Sequence, residues 1–255
     1  VFQLNALANA WPVEWYDEID STSALAGRRA VDGVQEPVWF AAKEQTAGRG
    51  RLGRKWISET GNLYSTALIP IDGLSPAVAG VSLSIGLAVR DMVIELSQGR
   101  LIPGLKWPND VRIDGAKLSG ILLESGRSSQ TKQFWLSIGI GINLAFAPDI
   151  PDYATVSLAK VLPDLAVAPE TALVVLDGCL RRRLTQFSKF GMSSVIDDWM
   201  KATDQIGAIC RSKLGDQTIE GEFHGLDEHG HMCLNTSTGE VVTITAGDVE
   251  LVKER

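Results

Sequence analysis

Val78, Val81, Ile85, Val89, Met92 and Leu96 recur every three or four residues, the period of a helix that buries one face. Ser75-Pro76 ahead of them offers a capping hydroxyl and a first-turn proline, and Gly99 fits the stop. Asp20-Ser21-Thr22-Ser23 before Ala24-Leu25-Ala26 marks another helix start, over 20–32. Residues 169–190 and 192–203 are also helical by pattern. Between these lie runs that read as strands: Val38–Ala42 and Leu63–Leu68. Residues 105–113 and 117–124 flank Asp114-Gly115, a strong hairpin signal. In the strand over 133–144, Gly139 and Gly141 alternate with Ile138, Ile140 and Ile142. Both glycines therefore bare the same face, as where a ligand or another backbone comes close. The stretch 145–168, with Pro148, Asp149, Pro151 and Asp152, reads as an irregular surface connection.

From about residue 206 the texture changes. Short alternating runs are separated by Gly215-Asp216, Asp227–Gly230 and Thr236–Gly239. About five short strands in so small a span predict a small barrel. The expected division is 1–205 and 206–255, the larger part α+β rather than doubly wound.

Charge sharpens this outline. The chain carries 24 Lys and Arg against 31 Asp and Glu, a net charge of −7, which argues against broad nucleic-acid binding. No apolar run reaches the roughly 18 residues of a membrane span, and the opening Val1-Phe2-Gln3-Leu4-Asn5 lacks the order of a signal peptide. Cys179, Cys210 and Cys233 are far apart with no Cys-x-x-Cys pair, which points to a reducing, cytoplasmic setting and away from structural zinc. Against the acidic background stands Gly48-Arg49-Gly50-Arg51-Leu52-Gly53-Arg54-Lys55-Trp56. Its glycines admit close backbone approach. Its arginines offer forked donors for phosphate or carboxylate, and the tryptophan a flat apolar lid.

Three further clusters carry chemistry: Lys106-Trp107-Pro108-Asn109-Asp110 at the hairpin mouth, Lys117–Glu124 on its return strand, and Gly139–Asn143. The hairpin brings Asp110 and Lys117 together. A carboxylate and an ammonium near an arginine loop suit a magnesium–nucleotide site. Each cluster alone has a plain reading as a solvated turn, a strand end or a surface lysine. His229 and His231 come with no further ligand pattern and read as turn and surface residues.

Together and in this order, with Asp20-Ser21-Thr22 ahead of them, these motifs resemble the biotin protein ligase family. The likeness spans nearly the whole larger domain, and the Gly-Arg loop with Lys-Trp-Pro-Asn-Asp is highly specific. The resemblance implies a class II synthetase-like domain: a mixed, mostly antiparallel sheet packed with helices, followed by a small SH3-like β-barrel. It implies an ATP-dependent ligase that forms biotinyl-5′-AMP and passes biotin to a lysine of a biotin carboxyl carrier domain. By that analogy Ser21, Thr22 and Gln45 hydrogen-bond the ureido ring. Gly48, Arg49 and Gly50 fold over biotin, Trp56 walls its chain, and Gly120, Gly139 and Gly141 line it. Arg51, Arg54, Lys55, Trp56, Asn109, Asp110, Lys117 and Asn143 fall to the nucleotide. Arg51, Lys117 and Asp110 are the implied catalytic residues, with Mg²⁺ at Asp110.

Two positions depart from the family's usual pattern. Ser23 stands where Asn is common, which removes an Asn contact to biotin. Leu52 stands where Arg is common, which loses one cation from the grip on ATP. About 20 residues precede the Ser-Thr pair, too few for the helix-turn-helix of some relatives, so the chain as given reads as an enzyme only. Family members can dimerise through the sheet, and a homodimer is among the expectations; membrane and nucleic-acid partners are not. The nearest rival is a lipoate ligase, whose triple glycine is missing here.

Overall fold

The computed structural model describes residues 7–73, 78–214, 217–245, 247 and 249–252. The expected Ser75-Pro76 cap and Gly215-Asp216 turn lie outside them. The larger sheet has seven strands: β1 (Val13–Ile19), β2 (Val38–Gln45), β3 (Leu63–Ile71), β4 (Gly104–Lys106), β5 (Asp110–Ile113), β6 (Ala116–Arg127) and β7 (Phe134–Ile142), in the order β1-β2-β3-β7-β6-β5-β4. The β1–β2 pair is parallel and the other pairs are antiparallel. Helices α1 (Thr22–Val31), α2 (Val78–Leu96), the single turn α3 (Leu158–Val161) and α4 (Pro169–Ala202) complete this part.

Strand alternation sorts the two faces of the sheet. Leu63, Ala67, Ile69, Ile138, Ile140 and Ile142 point into one core with Ile85, Val89 and Met92 of α2 and Leu173, Leu176 and Leu180 of α4. Each of these fully buried Leu, Ile, Val and Met side chains stabilises the fold by about 1.5–3 kcal/mol. On the opposite face, Phe40 and Leu68 pack with Ala26 and Ala30 of α1. That second core is small, and beyond it the same face is free to form a site.

Local signals act as the sequence predicts at several points. Ser21 caps α1, its Oγ accepting from Ala24 N at 3.4 Å. Asp114 and Gly115 both have positive φ, 49° and 77°, as a two-residue hairpin turn requires. Gly191, with φ 74°, breaks α4 between the two predicted helices. The run 105–113, however, is not one strand. It folds as β4, a turn at 107–109 with a cis Trp107–Pro108 bond, and β5. Pro108 has no N–H for a sheet ladder, so a turn suits it.

The C-terminal part is a five-stranded antiparallel sheet of β8 (Ile209–Leu214), β9 (Gln217–Leu226), β10 (Met232–Asn235), β11 (Val241–Ile244) and β12 (Val249–Leu251), in the order β11-β10-β9-β8-β12. The strand count fits the SH3-like expectation, but among the described residues no β11–β12 pairing closes a barrel. Phe223 meets Trp199 of α4 edge to face, centroids 6.3 Å apart, so one buried core runs through both parts. The connecting residues line the outer edge of β4. Thr203 bridges Leu105 in parallel, its Oγ1 donating to Leu105 O at 2.9 Å, and Trp107 N donates to Gln205 Oε1 at 2.7 Å. Trp107 Nε1 donates to Gly230 O at 3.0 Å, anchoring the same turn to the smaller sheet.

Candidate active site

A cleft of about 820 Å³ opens on the α1 face of the large sheet. Its walls are the Gly-Arg loop, the β4–β5 turn, residues 152–154 and β12 of the C-terminal sheet. Seven cationic and four acidic side chains line it, in a protein of net charge −7.

One end is polar but mostly uncharged. Gln45 Oε1 accepts from Thr22 N at 2.8 Å and from Thr22 Oγ1 at 3.2 Å. Thr66 Oγ1 donates to Thr22 Oγ1 at 2.8 Å, and Gln45 Nε2 donates to Ser58 Oγ at 2.9 Å. Ser21 and Ser23 share a hydroxyl bond of 2.9 Å, and Arg49 Nη2 reaches Ser23 Oγ at 3.3 Å. The chain of bonds fixes which way each amide and hydroxyl points.

The middle is apolar. Gly120 and Gly141 are direct cross-strand partners on β6 and β7, and the Trp56 indole lies against both. A Cβ at Gly120 would stand 2.9 Å from Trp56 Cζ3, and one at Gly141 2.6 Å from Trp56 Cζ2. Real Cβ contacts do not come that close, so these glycines are the seat of the indole. Gly139 differs: a Cβ there would meet Leu122 no closer than 3.4 Å, so its hydrogen keeps the cleft open rather than averting a clash. Trp56 Nε1 is buried with no hydrogen-bond partner among the described residues.

The other end is charged. Lys117 Nζ lies 2.7 Å from Asp110 Oδ1, outside hydrogen-bonding angles, and 5.6 and 5.3 Å from the Trp56 and Tyr153 ring centroids, within cation–π range. Its main chain is held between Ala154 and Val156: Lys117 N donates to Ala154 O at 2.8 Å and Val156 N to Lys117 O at 3.0 Å. Arg51 Nη1 donates to Asn109 Oδ1 at 3.0 Å, and Nη2 to Gly247 O at 3.3 Å. Asn109 Nδ2 in turn donates to Ile121 O at 2.7 Å. Burial pulls the Arg51 and Lys106 pKa values down, partly offset in both by Asp110.

Residues 15–143 match the biotin/lipoate A/B protein ligase family, and residues 206–252 match the biotin protein ligase C-terminal domain. The chain belongs to the biotin/lipoate A/B protein ligase family. The biotin–[acetyl-CoA-carboxylase] ligase of Paracoccus denitrificans is 33% identical over 234 residues, 90% of this chain and 96% of that protein. The Aquifex aeolicus biotin protein ligase in complex with biotin and ATP superposes with a TM-score of 0.79 at 28% identity, covering 95% of this chain and 99% of that one. The Leishmania major biotin protein ligase in complex with biotinyl-5-AMP gives a TM-score of 0.66 at 27% identity, covering 92% and 99%.

The ligase cleft brings together most of the residues singled out from sequence: Ser21, Thr22, Gln45, Arg49, Gly50, Arg51, Arg54, Lys55, Trp56, Asn109, Asp110, Lys117, Gly120, Gly139 and Gly141. Two do not line it. Gly48 closes the base of the loop, its O accepting from Trp56 N at 2.9 Å. Asn143 is buried and spends its amide on the main chain, Nδ2 donating to Val156 O at 3.2 Å and Lys117 O at 3.4 Å. It braces the main chain beside Lys117 and lines a small adjoining cavity with Lys55, Trp56 and Lys117. Leu52 is exposed with φ 55° and stands outside the lining. Sequence reasoning missed Thr66, Lys106, Arg112, Tyr153 and residues 249–251 as lining groups. Lys106 lay inside a quoted motif and was the one with a visible signal. The others depend on strand register and on how the two sheets meet. His229 and His231 sit in the turn after β9, where His231 Nδ1 lies 3.0 Å from Asp227 Oδ2.

Proposed function

We infer that this ligase is a biotin protein ligase that activates biotin with ATP as biotinyl-5′-AMP and then transfers biotin to a lysine of a carrier domain. The observation that carries the reading is the two-ended cleft, with neutral donors and acceptors at Thr22 and Gln45 and cations at Arg51 and Lys117. A cyclic urea is uncharged and needs matched neutral partners. The carboxylate and the triphosphate are both anionic, so their approach is electrostatically opposed. Fixed cations offset that repulsion and stabilise the charge that develops at the α-phosphate.

In the first step a carboxylate oxygen attacks the α-phosphorus, the bond to the bridging oxygen breaks, and pyrophosphate leaves. Arg51 and Lys117 hold the nucleotide and the carboxylate in line. The Trp56 indole over Gly120 and Gly141 excludes water from the mixed anhydride, which is open to hydrolysis. In the second step the carrier amine attacks the acyl carbon and AMP departs with the bonding electrons. On this reading Asp110, ion-paired with Lys117 at 2.7 Å, takes the amine proton. Asp110→Asn should then slow transfer from preformed adenylate; unchanged transfer rejects the base role.

Magnesium fits the charged end. Asp110 Oδ1 is buried without a hydrogen bond and is ion-paired with Lys117 Nζ at 2.7 Å. Mg²⁺ commonly takes one or two carboxylates plus substrate phosphates. Asp110 would hold it, and the ion would neutralise phosphate charge. The reading includes a division near residue 205, supported by the two separate family matches. It includes a cytoplasmic setting, in keeping with three free cysteines. No described helix is long and apolar enough to cross a membrane.

The test is labelling of an apo biotin carrier domain with ATP and either biotin or lipoate. Biotin-dependent labelling of one lysine is expected. Labelling by lipoate in preference to biotin would overturn the reading in favour of a lipoate ligase.

A further inference from the structure

Arg112 is an arginine in the wrong place for a surface strand. Its side chain is only 8% exposed, yet it lines the cleft. Its Nη2 pairs with Asp204, and its Nε is buried with no hydrogen-bond partner among the described residues. A buried guanidinium with an unmet donor is costly unless something answers it.

Strand register explains what surrounds it. Arg112 and Asp110 are two apart on β5 and share a face. Lys106 pairs with Asp110 across β4–β5, and Lys117 pairs with Arg112 across β5–β6. Three cations therefore surround one carboxylate. Burial and the neighbouring cations Arg112 and Lys117 both pull the Lys106 pKa down, and Asp110 offsets this in part. The counter-ion for Arg112 comes from the segment joining the two sheets. Asp204 reaches it over Gly104, the direct cross-strand partner of Arg112. A Cβ at Gly104 would stand 2.9 Å from Asp204 Cγ, so a side chain there would push the carboxylate away. Thr203 and Gln205 on either side of Asp204 are bonded to Leu105 and Trp107, which anchors the chain around Asp204 and leaves its side chain free to move. Unlike Arg112, Asp204 is 39% exposed and is readily rehydrated.

We propose that Arg112, with Lys106, forms the subsite that grips the terminal phosphates of the nucleotide and the departing pyrophosphate, and that Asp204 is its displaceable counter-ion. This rests on the ligase reading, and it adds a residue and a control to it. Arginine suits the task because its donors form charge-assisted bonds with phosphate oxygens. In the free enzyme Asp204 occupies the guanidinium. A polyphosphate brings more negative charge and takes over the same donors, and the carboxylate returns to water. Placing that exchange in the segment between the sheets ties phosphate occupancy to the contact that seats the C-terminal sheet.

A purely structural ion pair makes a different prediction. If Arg112 and Asp204 only hold the fold together, removing either has the same effect. If Asp204 competes with phosphate, the two substitutions act in opposite directions. The probe is inorganic tripolyphosphate, titrated calorimetrically into the full-length protein, with biotin titrated in parallel. Arg112→Gln should weaken tripolyphosphate binding at least tenfold and leave biotin binding unchanged. Asp204→Asn should bind tripolyphosphate more tightly than wild type, and an unchanged affinity would overturn its role as a competing counter-ion. Arg112→Lys, which keeps the charge, should recover part of the lost affinity.

Equal weakening by Arg112→Gln and Asp204→Asn would overturn the proposal, as would no effect of Arg112→Gln. Should Arg112→Gln melt far below wild type, Asp204→Asn decides: loss of tripolyphosphate affinity in that variant overturns the proposal. Failure of the ligase reading looks different. Wild type would then bind tripolyphosphate yet catalyse no biotin-dependent exchange of pyrophosphate into ATP.

Discussion

The two ends of the cleft are built on opposite plans. At the uncharged end, Thr22, Gln45, Ser58 and Thr66 answer one another's hydrogen bonds, so the pattern is fixed before anything binds. At the charged end, Asp110 Oδ1 and Arg112 Nε are buried without hydrogen bonds, and Lys106, Arg112 and Lys117 crowd one carboxylate. A closed network selects a neutral ligand by geometry. An incompletely answered cluster of charges selects by electrostatics, and it gains most when a polyanion arrives. The Trp56 indole on Gly120 and Gly141 separates the two regimes.

Substitutions that touch one end should leave the other largely intact. Arg51→Ala removes a cation that also ties the Gly-Arg loop to Asn109 and Gly247. Loss of a positioned transition-state donor typically costs about 10²–10³ in rate, and rapid-quench measurement of adenylate formation should show it, with biotin affinity changed far less. Gly141→Ala drives a methyl into the indole; overpacking of this kind costs about 1–3 kcal/mol. Calorimetry should find biotin binding weaker by roughly tenfold or more, and the melting temperature lower. Thr22→Val leaves the Thr66 hydroxyl without its acceptor, while Gln45 Oε1 keeps the Thr22 N–H; a buried group left short costs about 1–3 kcal/mol. The KM for biotin should rise while that for ATP holds; a rise in both would erase the division between the ends.

The smallest effect concerns pH. Burial lowers the Lys106 pKa, so this cation is lost at lower pH than an ordinary lysine. Between its folded and unfolded pKa values the unfolded chain holds more protons, so this group's contribution to stability rises with pH across that window. Nucleotide binding runs the other way, since the KM for ATP should climb on the alkaline side as the charge is lost. Lys106→Arg should move that limb to higher pH by keeping the charge. A pH profile unchanged by the substitution would remove Lys106 from the nucleotide end.

Much of this was legible in the residues. The helix over Val78–Leu96, the Asp114-Gly115 hairpin, the break at Gly191 and the five C-terminal strands all follow from local signals that the structure obeys. So does the meeting of Asp110 with Lys117, because six residues of hairpin leave them nowhere else to go. β1 gave no such signal: Val13-Glu14-Trp15-Tyr16-Asp17-Glu18-Ile19 carries three acids and is an edge strand, so neither alternation nor an apolar run marks it. Gly120 and Gly141 lack side chains where the Trp56 indole lies, and strand alternation alone does not show that contact with a loop residue more than 60 positions away. Asn143 is ambiguous from sequence for a similar reason. Its amide can bond a nucleotide or a main chain, and only the path of residues 154–156 beside Lys117 decides which. Arg112 could not be singled out at all, because its meaning lies in Asp204 from the joining segment and in strand register.

Lys117 is the test of the whole arrangement, since both its main-chain N–H and C=O are bonded and its ammonium lies between Trp56 and Asp110. Single-turnover formation of biotinyl-AMP from labelled biotin and ATP, compared between wild type and Lys117→Ala, measures what it does. Wild type should form the adenylate and the variant should form it about 10²–10³ times more slowly, with biotin still bound. An equal rate in the two proteins, or no adenylate from wild type, would contradict carboxylate activation at this end of the cleft.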